Sequence, residues 1–292
     1  MHSKKSANKQ AKPNTLSFDA TGTKWRISSY DEGLGALQPQ ILQYIANFES
    51  VYSRFNKNSL VSAMATQAGT YTFPRGAAKL FNLYMQLEDL TAGGITPLIG
   101  KNLNEAGYDA AYSLTPTSLT PNPRLHEVAS CNGSVITTTQ PLQFDFGAAA
   151  KGLLIDEITQ LLRDNGLTRF SINAGGDIFT TIPRSIGLEH PLQPGALIGT
   201  TNIQGVSLCG SSGNRRNWGA YHHIISGTTL ESPHDVVASW VVADSAMLAD
   251  MIATALHLVS PDSLNNLFDY EYAIIDKSAQ IIKKGRHFKD LH

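Results

Sequence analysis

The sequence predicts an α+β fold. Apolar residues recur at helical spacing in three long segments and alternate in several shorter ones. The two kinds interleave without the regular βαβ rhythm of a doubly wound sheet. The chain has 292 residues, 42% of them hydrophobic, enough for one large core or two closely joined ones. Its formal net charge is −1, which argues against sequence-independent nucleic-acid binding, since that needs a basic surface. Cys131 and Cys209 lack metal-type spacing and read as buried free thiols, the alternative being a single disulfide.

Thr15 to Ser29 reads as a hairpin around Thr21-Gly22-Thr23, with Trp25 and Ile27 on one face. Ile41, Leu42, Ile45, Ala46 and Phe48 form one stripe and predict a helix over Gln38 to Val51. A second helix is expected over Arg75 to Asp89, ended by the glycine-rich Thr91 to Gly100. Val128 to Thr137 is a hairpin candidate through Asn132-Gly133. Beyond the centre, Ala196 to Thr201, Gly205 to Cys209, Tyr221 to Ser226, Val236 to Val242 and Tyr272 to Asp276 read as strands. Asp244 to Val259 reads as a helix with Asp244 as N-cap, and Pro261 opens a shorter one.

Gln143 to Phe179 organises the chain. A short strand, Leu142 to Phe146, ends near a carboxylate and is followed by the small-residue turn Gly147 to Ala150. An amphipathic helix follows, with Leu153, Leu154, Ile158, Leu161 and Leu162 on one side, closed by Asn165-Gly166. The strand Thr168 to Asn173 then breaks at Gly175-Gly176-Asp177. Small residues at such junctions let a ligand approach the backbone. Lys151 sits in the first helical turn, where the macrodipole disfavours a cation by roughly 0.3–1 kcal/mol. A bound anion would reverse that; the alternative is a surface lysine reaching into water.

In the helix over Asp244 to Val259, Asp250 and Thr254 share one face. Two hard oxygens suit Mg²⁺; the alternative is a solvated carboxylate beside a threonine bonded to its own helix. His222 and His223, adjacent on a strand, point to opposite faces and cannot share one metal. One of them is a candidate catalytic group, the other reading being a satisfied histidine. No P-loop, G-x-G-x-x-G, G-x-S-x-G or zinc motif occurs.

Together, these motifs resemble the ApbE family. The pattern D-[LF]-G-[GA]-x-A-K-G-x-x-x-D stands as Asp145 to Gly152 with Asp156, followed by Asn173-Ala174-Gly175-Gly176-Asp177. A-D-x-x-[AS]-T-A-L stands as Ala249 to Leu256, and S-G-[ND]-x-x-R resembles the run from Ser212 to Arg216. Thr21-Gly22-Thr23, Ser53-Arg54-Phe55 and Gly94-Ile95-Thr96 are weaker echoes. The matches run in order from about residue 20 to 276. The resemblance implies mixed sheets flanked by helices, in a T-fold-related α+β architecture, as one domain over residues 15–292. It also implies Mg²⁺-dependent transfer of FMN from FAD to a threonine or serine of an acceptor flavoprotein, with release of AMP. By position it implies metal ligands at Ala148 (backbone carbonyl), Asp250 and Thr254. FAD contacts are implied at Thr21, Phe55, Gly94, Ile95, Thr96, Asp145, Lys151, Gly175, Gly176 and Ile224. Asp250, Lys151 and His223 become the candidate catalytic set.

The chain departs from the family on the flavin side. H-I-[IL]-D-P-x-T-G appears as His223-Ile224-Ile225-Ser226-Gly227-Thr228-Thr229, without aspartate or proline. The aspartate of G-x-F-D is Thr96, the usual methionine before Gly-Thr is Thr21, and the asparagine of S-E-[LV]-S-x-[LF]-N is Ala65. Two other readings of the same residues are an Mg²⁺-dependent FAD pyrophosphatase and a non-catalytic flavin-binding protein. Residues 1–14 are polar and basic and read as a disordered tail rather than a secretory signal. With Met1 as the native start the protein is cytoplasmic; with a removed leader it is exported. No stretch reaches membrane-spanning length.

Overall fold

Buried Trp25 and Ile27 alternate with exposed Lys24 and Arg26, so the second strand of the N-terminal hairpin is one-sided. Its two-residue turn, Thr21-Gly22, has φ of 49° and 70°, the left-handed pair that a type I′ hairpin needs. The computed structural model describes residues 12–291. The expected tail falls mostly outside them. The hairpin is β1 (Asn14–Ala20) and β2 (Thr23–Ser29). It is followed by α1 (Leu34–Tyr52), α2 (Leu60–Met64) and β3 (Gly69–Thr72). Next come α3 (Ala77–Leu90), α4 (Gly100–Glu105), α5 (Leu125–Val128), β4 (Ala129–Asn132) and β5 (Val135–Thr138). The central stretch supplies α6 (Ala150–Asp164), β6 (Phe170–Ala174) and β7 (Asp177–Thr180). An arm of β8 (Arg184–Glu189) and β9 (Leu197–Ile203) precedes β10 (Ser207–Ser212). The chain closes with β11 (Asn217–Trp218), β12 (Tyr221–His222), β13 (Val236–Ala243), α7 (Ala246–Ala255), α8 (Pro261–Asn265), β14 (Glu271–Asp276) and β15 (Ile281–Lys284).

Eight strands form one sheet in the order β1-β2-β6-β7-β10-β13-β14-β15, antiparallel throughout. The main core, with Trp25, Ile27, Ile172 and Val241 from the sheet, packs against Leu154 and Ile158 of α6 and Met251 and Ile252 of α7. A second core, including Ile178, Leu208, Val242, Ile275 and Phe288, lies under the arm residues Leu188, Ile198 and Ile203. Alternate residues of β7 and β10 thus serve opposite faces.

Several expectations needed correction. Leu142 to Phe146 is extended but joins no sheet. Its backbone is held by single bonds, Leu142 N–H to Met64 and Asp145 N–H to Pro97, while Phe144 and Phe146 anchor it in the core. The strand at Tyr221 stops at His222: the His223 N–H still bonds the Arg216 carbonyl, but the Ile224 N–H turns to the His222 ring at 3.2 Å. The last long helix starts at Ala246, not Asp244; Ser245 is its N-cap and accepts from Leu248 N–H. It ends at Ala255 rather than Val259. The arm strand β8 and the edge strand β15 escaped the periodicity reading: β8 mixes polar and apolar residues, and β15 is a four-residue edge. Both cysteines are free, as expected, but only Cys209 is buried; Cys131 is half-exposed on β4.

Candidate functional site

The start of α6 has no side-chain cap of its own, since Ala149 stands at the N-cap. The free N–H groups of its first turn need outside acceptors. Asp250, from the middle of α7, supplies one: its Oδ2 accepts Gly152 N–H at 2.9 Å. The reverse contact is made by Asp156 of α6. Its carboxylate accepts Ala246 N–H at 2.8 Å, Met247 N–H at 3.0 Å and the Ser245 hydroxyl at 2.7 Å, all at the start of α7. The helices touch closely enough for this because residue 152 is glycine. A Cβ there would lie 2.2 Å from the Ala246 carbonyl oxygen. Burial pushes the carboxyl pKa of both aspartates up, against the pull of these donors and, for Asp250, of Lys151.

Lys151 is not a surface lysine reaching freely into water. Its ammonium pairs with Asp177 and lies 3.5 Å from Asp250 Oδ1. Two carboxylates thus offset the unfavourable position in the first helical turn. Asp177 is buried, and its other oxygen accepts Gly210 N–H at 3.0 Å. Asp250 is 4% exposed, so it is not a solvated carboxylate. Thr254 lies one turn on and places its hydroxyl 3.2 Å from that of Ser211.

These groups line one cavity of about 620 Å³. Thr21, Phe55, Gly94, Ile95, Thr96, Asp145, Ala148, Gly175, His223 and Ile224 line it as well. Gly176 does not: it turns to a second groove, of about 950 Å³, on the face of the sheet toward the arm. Gly175, Gly210, Ser211 and Ser212 border both. Asp145 faces the cavity but is already engaged. Arg54 Nε contacts its Oδ2 at 2.5 Å, and its Oδ1 accepts Gly147 N–H at 2.6 Å. Its first task is therefore to shape the turn that carries Ala148. Arg54 also bonds Asn104 and the Tyr108 carbonyl, with its guanidinium 4.2 Å from the Phe55 ring centroid. Phe55 stacks on Tyr112 at 5.7 Å, and Tyr108 meets both rings edge-on. This gives one end of the cavity an aromatic wall suited to a flat ring.

His223 lines the same cavity, half-buried. Burial, reinforced by Arg216, depresses its pKa to about 3, so it is neutral at pH 7. Its Nδ1 has no hydrogen-bond partner among the described residues. His222 points elsewhere, with Nε2 2.7 Å from the Pro233 carbonyl. The two residues part as strand neighbours should.

The drifted positions remain structurally satisfied. Thr96 caps the following 3₁₀ turn by accepting Leu98 N–H, as an aspartate could. Ser226 accepts Thr228 and Thr229 N–H at 3.4 and 3.2 Å, closing the turn. Gly227 donates its N–H to the Gly94 carbonyl at 2.9 Å, which proline could not do, and so ties this turn to the cavity wall. Buried Glu88 holds the same wall by accepting Leu125 N–H at 2.6 Å and contacting Thr96 at 3.4 Å.

Sequence reasoning missed Arg54, Asp156 and Asp177 as working residues, although each stands inside a quoted motif. Their partners lie at sequence separations that periodicity cannot show. Among the described residues no group of three or more His, Cys, Asp or Glu forms a metal cluster, and no helix is long and apolar enough to cross a membrane.

Comparison with known proteins identifies the family and the fold. The ApbE family pattern matches residues 21–275. An FAD:protein FMN transferase of Vibrio cholerae is 28% identical over 231 residues, covering 73% of this chain and 68% of that protein. One from Klebsiella pneumoniae is 27% identical over 250 residues, covering 79% and 77%. In three dimensions the chain is similar to the flavin transferase ApbE of Vibrio cholerae, with a TM-score of 0.80 at 19% identity over 97% of this chain and 100% of that one. It is also similar to the ApbE protein of Thermotoga maritima, with a TM-score of 0.80 at 18% identity over 93% and 97%. With the family pattern spanning most of the chain and the fold matching end to end, this protein belongs to the ApbE family.

Proposed function

We propose that this protein is an FAD:protein FMN transferase that moves FMN from FAD to a threonine or serine hydroxyl of an acceptor flavoprotein and releases AMP. One observation carries the reading: Lys151, Asp250, Thr254, the Asp145–Ala148 turn and neutral His223 all line one cavity with an aromatic end. Asp250, Thr254 and the Ala148 carbonyl offer hard oxygens to Mg²⁺, and the donor set fits that ion because it favours few protein ligands together with phosphate oxygens and water. When bound, the ion would neutralise charge on the pyrophosphate.

The chain's own residues do the rest. Lys151 offers its ammonium to the same pyrophosphate. Phe55, Tyr108 and Tyr112 provide a stacking surface for a ring of the dinucleotide. The acceptor hydroxyl oxygen attacks the phosphorus of the FMN half, and the bond from that phosphorus to the bridging oxygen breaks. The bridging oxygen leaves with AMP. We assign the hydroxyl proton to His223, whose imidazole is neutral at pH 7 and whose depressed basicity the negative charge of the pyrophosphate would raise. Such a transfer relies on positioning and charge neutralisation more than on covalent help from the enzyme.

The test is incubation with FAD and Mg²⁺, with and without co-expressed candidate flavoproteins. AMP release with in-gel flavin fluorescence on the acceptor is the expected result. Free FMN plus AMP, with no acceptor labelled, would make the protein a pyrophosphatase. Unchanged FAD would make it a binding protein only.

A further inference from the structure

The geometry points to Asp177 as the positioning residue for Lys151, holding its ammonium in the cavity at the junction of the Asp250 carboxylate and the nucleotide's pyrophosphate. The inference rests on the proposed nucleotide site and adds a residue to it.

Lys151 is a long side chain with its rotamer freedom largely intact unless something fixes the head. In this structure it has two carboxylate partners, and they are not equivalent. Asp250 lies at 3.5 Å and has two other claims on it, the Gly152 N–H and the proposed cation. Asp177 makes the closer contact and is fixed from behind. It is 2% exposed, opens β7 next to the left-handed Gly175-Gly176 turn, and spends one oxygen on Gly210 N–H of the neighbouring strand. Its second oxygen is left to aim at Lys151. When a divalent cation takes Asp250, like charges separate Lys151 from that carboxylate. Asp177 then remains as the anchor that keeps the ammonium from swinging to solvent, with its other N–H donors free for phosphate oxygens.

The same arrangement explains why a second buried carboxylate is tolerated beside a site for a dianionic pyrophosphate. Through space alone, Asp177 would repel the ligand. Its removal therefore separates two accounts by sign. If Asp177 only contributes charge, neutralising it tightens nucleotide binding. If it positions Lys151, neutralising it weakens binding.

The experiment uses ADP with Mg²⁺, which carries a pyrophosphate but no FMN to transfer, titrated calorimetrically into the full chain. Four proteins are compared: the parent, Asp177→Asn, Lys151→Met and the double variant. Asparagine keeps an oxygen for Gly210 N–H and removes only the charge that faces Lys151. Asp177→Asn is expected to weaken ADP binding about tenfold, and Lys151→Met by a similar factor. The double variant should be no weaker than Lys151→Met alone, because Asp177 acts through Lys151. Thermal melts should place Asp177→Asn near the parent. Equal or tighter ADP binding by Asp177→Asn overturns the inference, as does a loss that persists in full when Lys151 is already methionine. If Asp177→Asn does not melt cooperatively, Asp177→Ser takes its place with the same two outcomes. A parent that fails to bind ADP at all removes the nucleotide reading and this inference with it. A parent that binds, with Asp177→Asn equal to it, removes this inference alone.

Discussion

Asp156 and Asp250 exchange places across two helices. Asp156 projects from α6 and caps the start of α7, and Asp250 projects from α7 and accepts from the first turn of α6. Each helix thus presents a carboxylate to the positive end of the other. The exchange fixes where Asp250 and Thr254 sit relative to Lys151, so part of the site's geometry is set by a contact outside the cavity. Replacing Asp156 with alanine leaves two backbone donors and the Ser245 hydroxyl without their acceptor. We expect a loss of about 2 kcal/mol in stability, read as a lower midpoint in urea. The Asp156→Asn variant, which keeps one acceptor oxygen, should lose less.

Gly152→Ala tests the closeness of those helices. On helix propensity alone alanine would stabilise by up to about 1 kcal/mol. The new methyl group would lie 2.2 Å from the Ala246 carbonyl, a backbone atom with little room to yield. Overpacking should win, with a net loss of about 1–3 kcal/mol. A variant as stable as the parent would show that α7 shifts freely against α6.

Asp250→Asn separates chemistry from folding. Asparagine can still accept Gly152 N–H and removes a buried charge, so the protein should melt cooperatively near the parent temperature. Mg²⁺-dependent AMP release should fall by at least about a hundredfold, in line with loss of a charged group that stabilises the transition state. Chromatographic assay of AMP decides it; turnover at the parent rate would remove Asp250 from the proposed mechanism.

The Ser226-Gly227 pair replaces aspartate and proline of the family pattern. Ser226→Asp should be tolerated, since a carboxylate can accept the same Thr228 and Thr229 N–H groups. Gly227→Pro should not. It deletes the bond to Gly94 and would bring a Cβ within 2.4 Å of the Gly93 carbonyl. Because that bond holds the cavity wall, we expect FAD affinity to fall about tenfold, measured by fluorescence titration.

Buried His257 and half-buried His223 lead the acid response, and buried His222 is depressed in the same direction. Burial depresses His223 to about 3 and His257 to about 4, from an ordinary value near 6.5. Below pH of about 6.5 the unfolded chain binds protons that the folded chain refuses. Stability should therefore fall as pH drops from about 6.5 toward 4, by up to about 1.4 kcal/mol per pH unit for each histidine. Asp156 and Asp250 act in the opposite sense, because their raised carboxyl pKa values favour the folded state on protonation. Urea melts at pH 7 and pH 5 should show the histidine trend, and His257→Phe should remove part of it.

The sequence by itself determined the α+β class, the main helices, the paired strands around Thr21-Gly22-Thr23 and a set of site residues that, Gly176 apart, line the cavity. It could do so because each of these is written locally, in periodicity, in a left-handed glycine or in a short motif. Asp145 and Lys151 were legible as one short motif across the turn into α6, and Asp250 and Thr254 as residues four apart on α7. Only the tertiary structure decided what those residues touch. Lys151 read as either an anion contact or a surface lysine, and folding paired it with Asp177 and Asp250. Gly176 read as part of the cavity, and the left-handed turn it shares with Gly175 carries it to the other groove. Asp156 read as a polar helix residue, and it became the cap of a helix 90 positions away. Hydrogen bonds and ion pairs of this kind form between elements far apart in sequence, so no local pattern encodes them; packing of α6 against α7 and the sheet does.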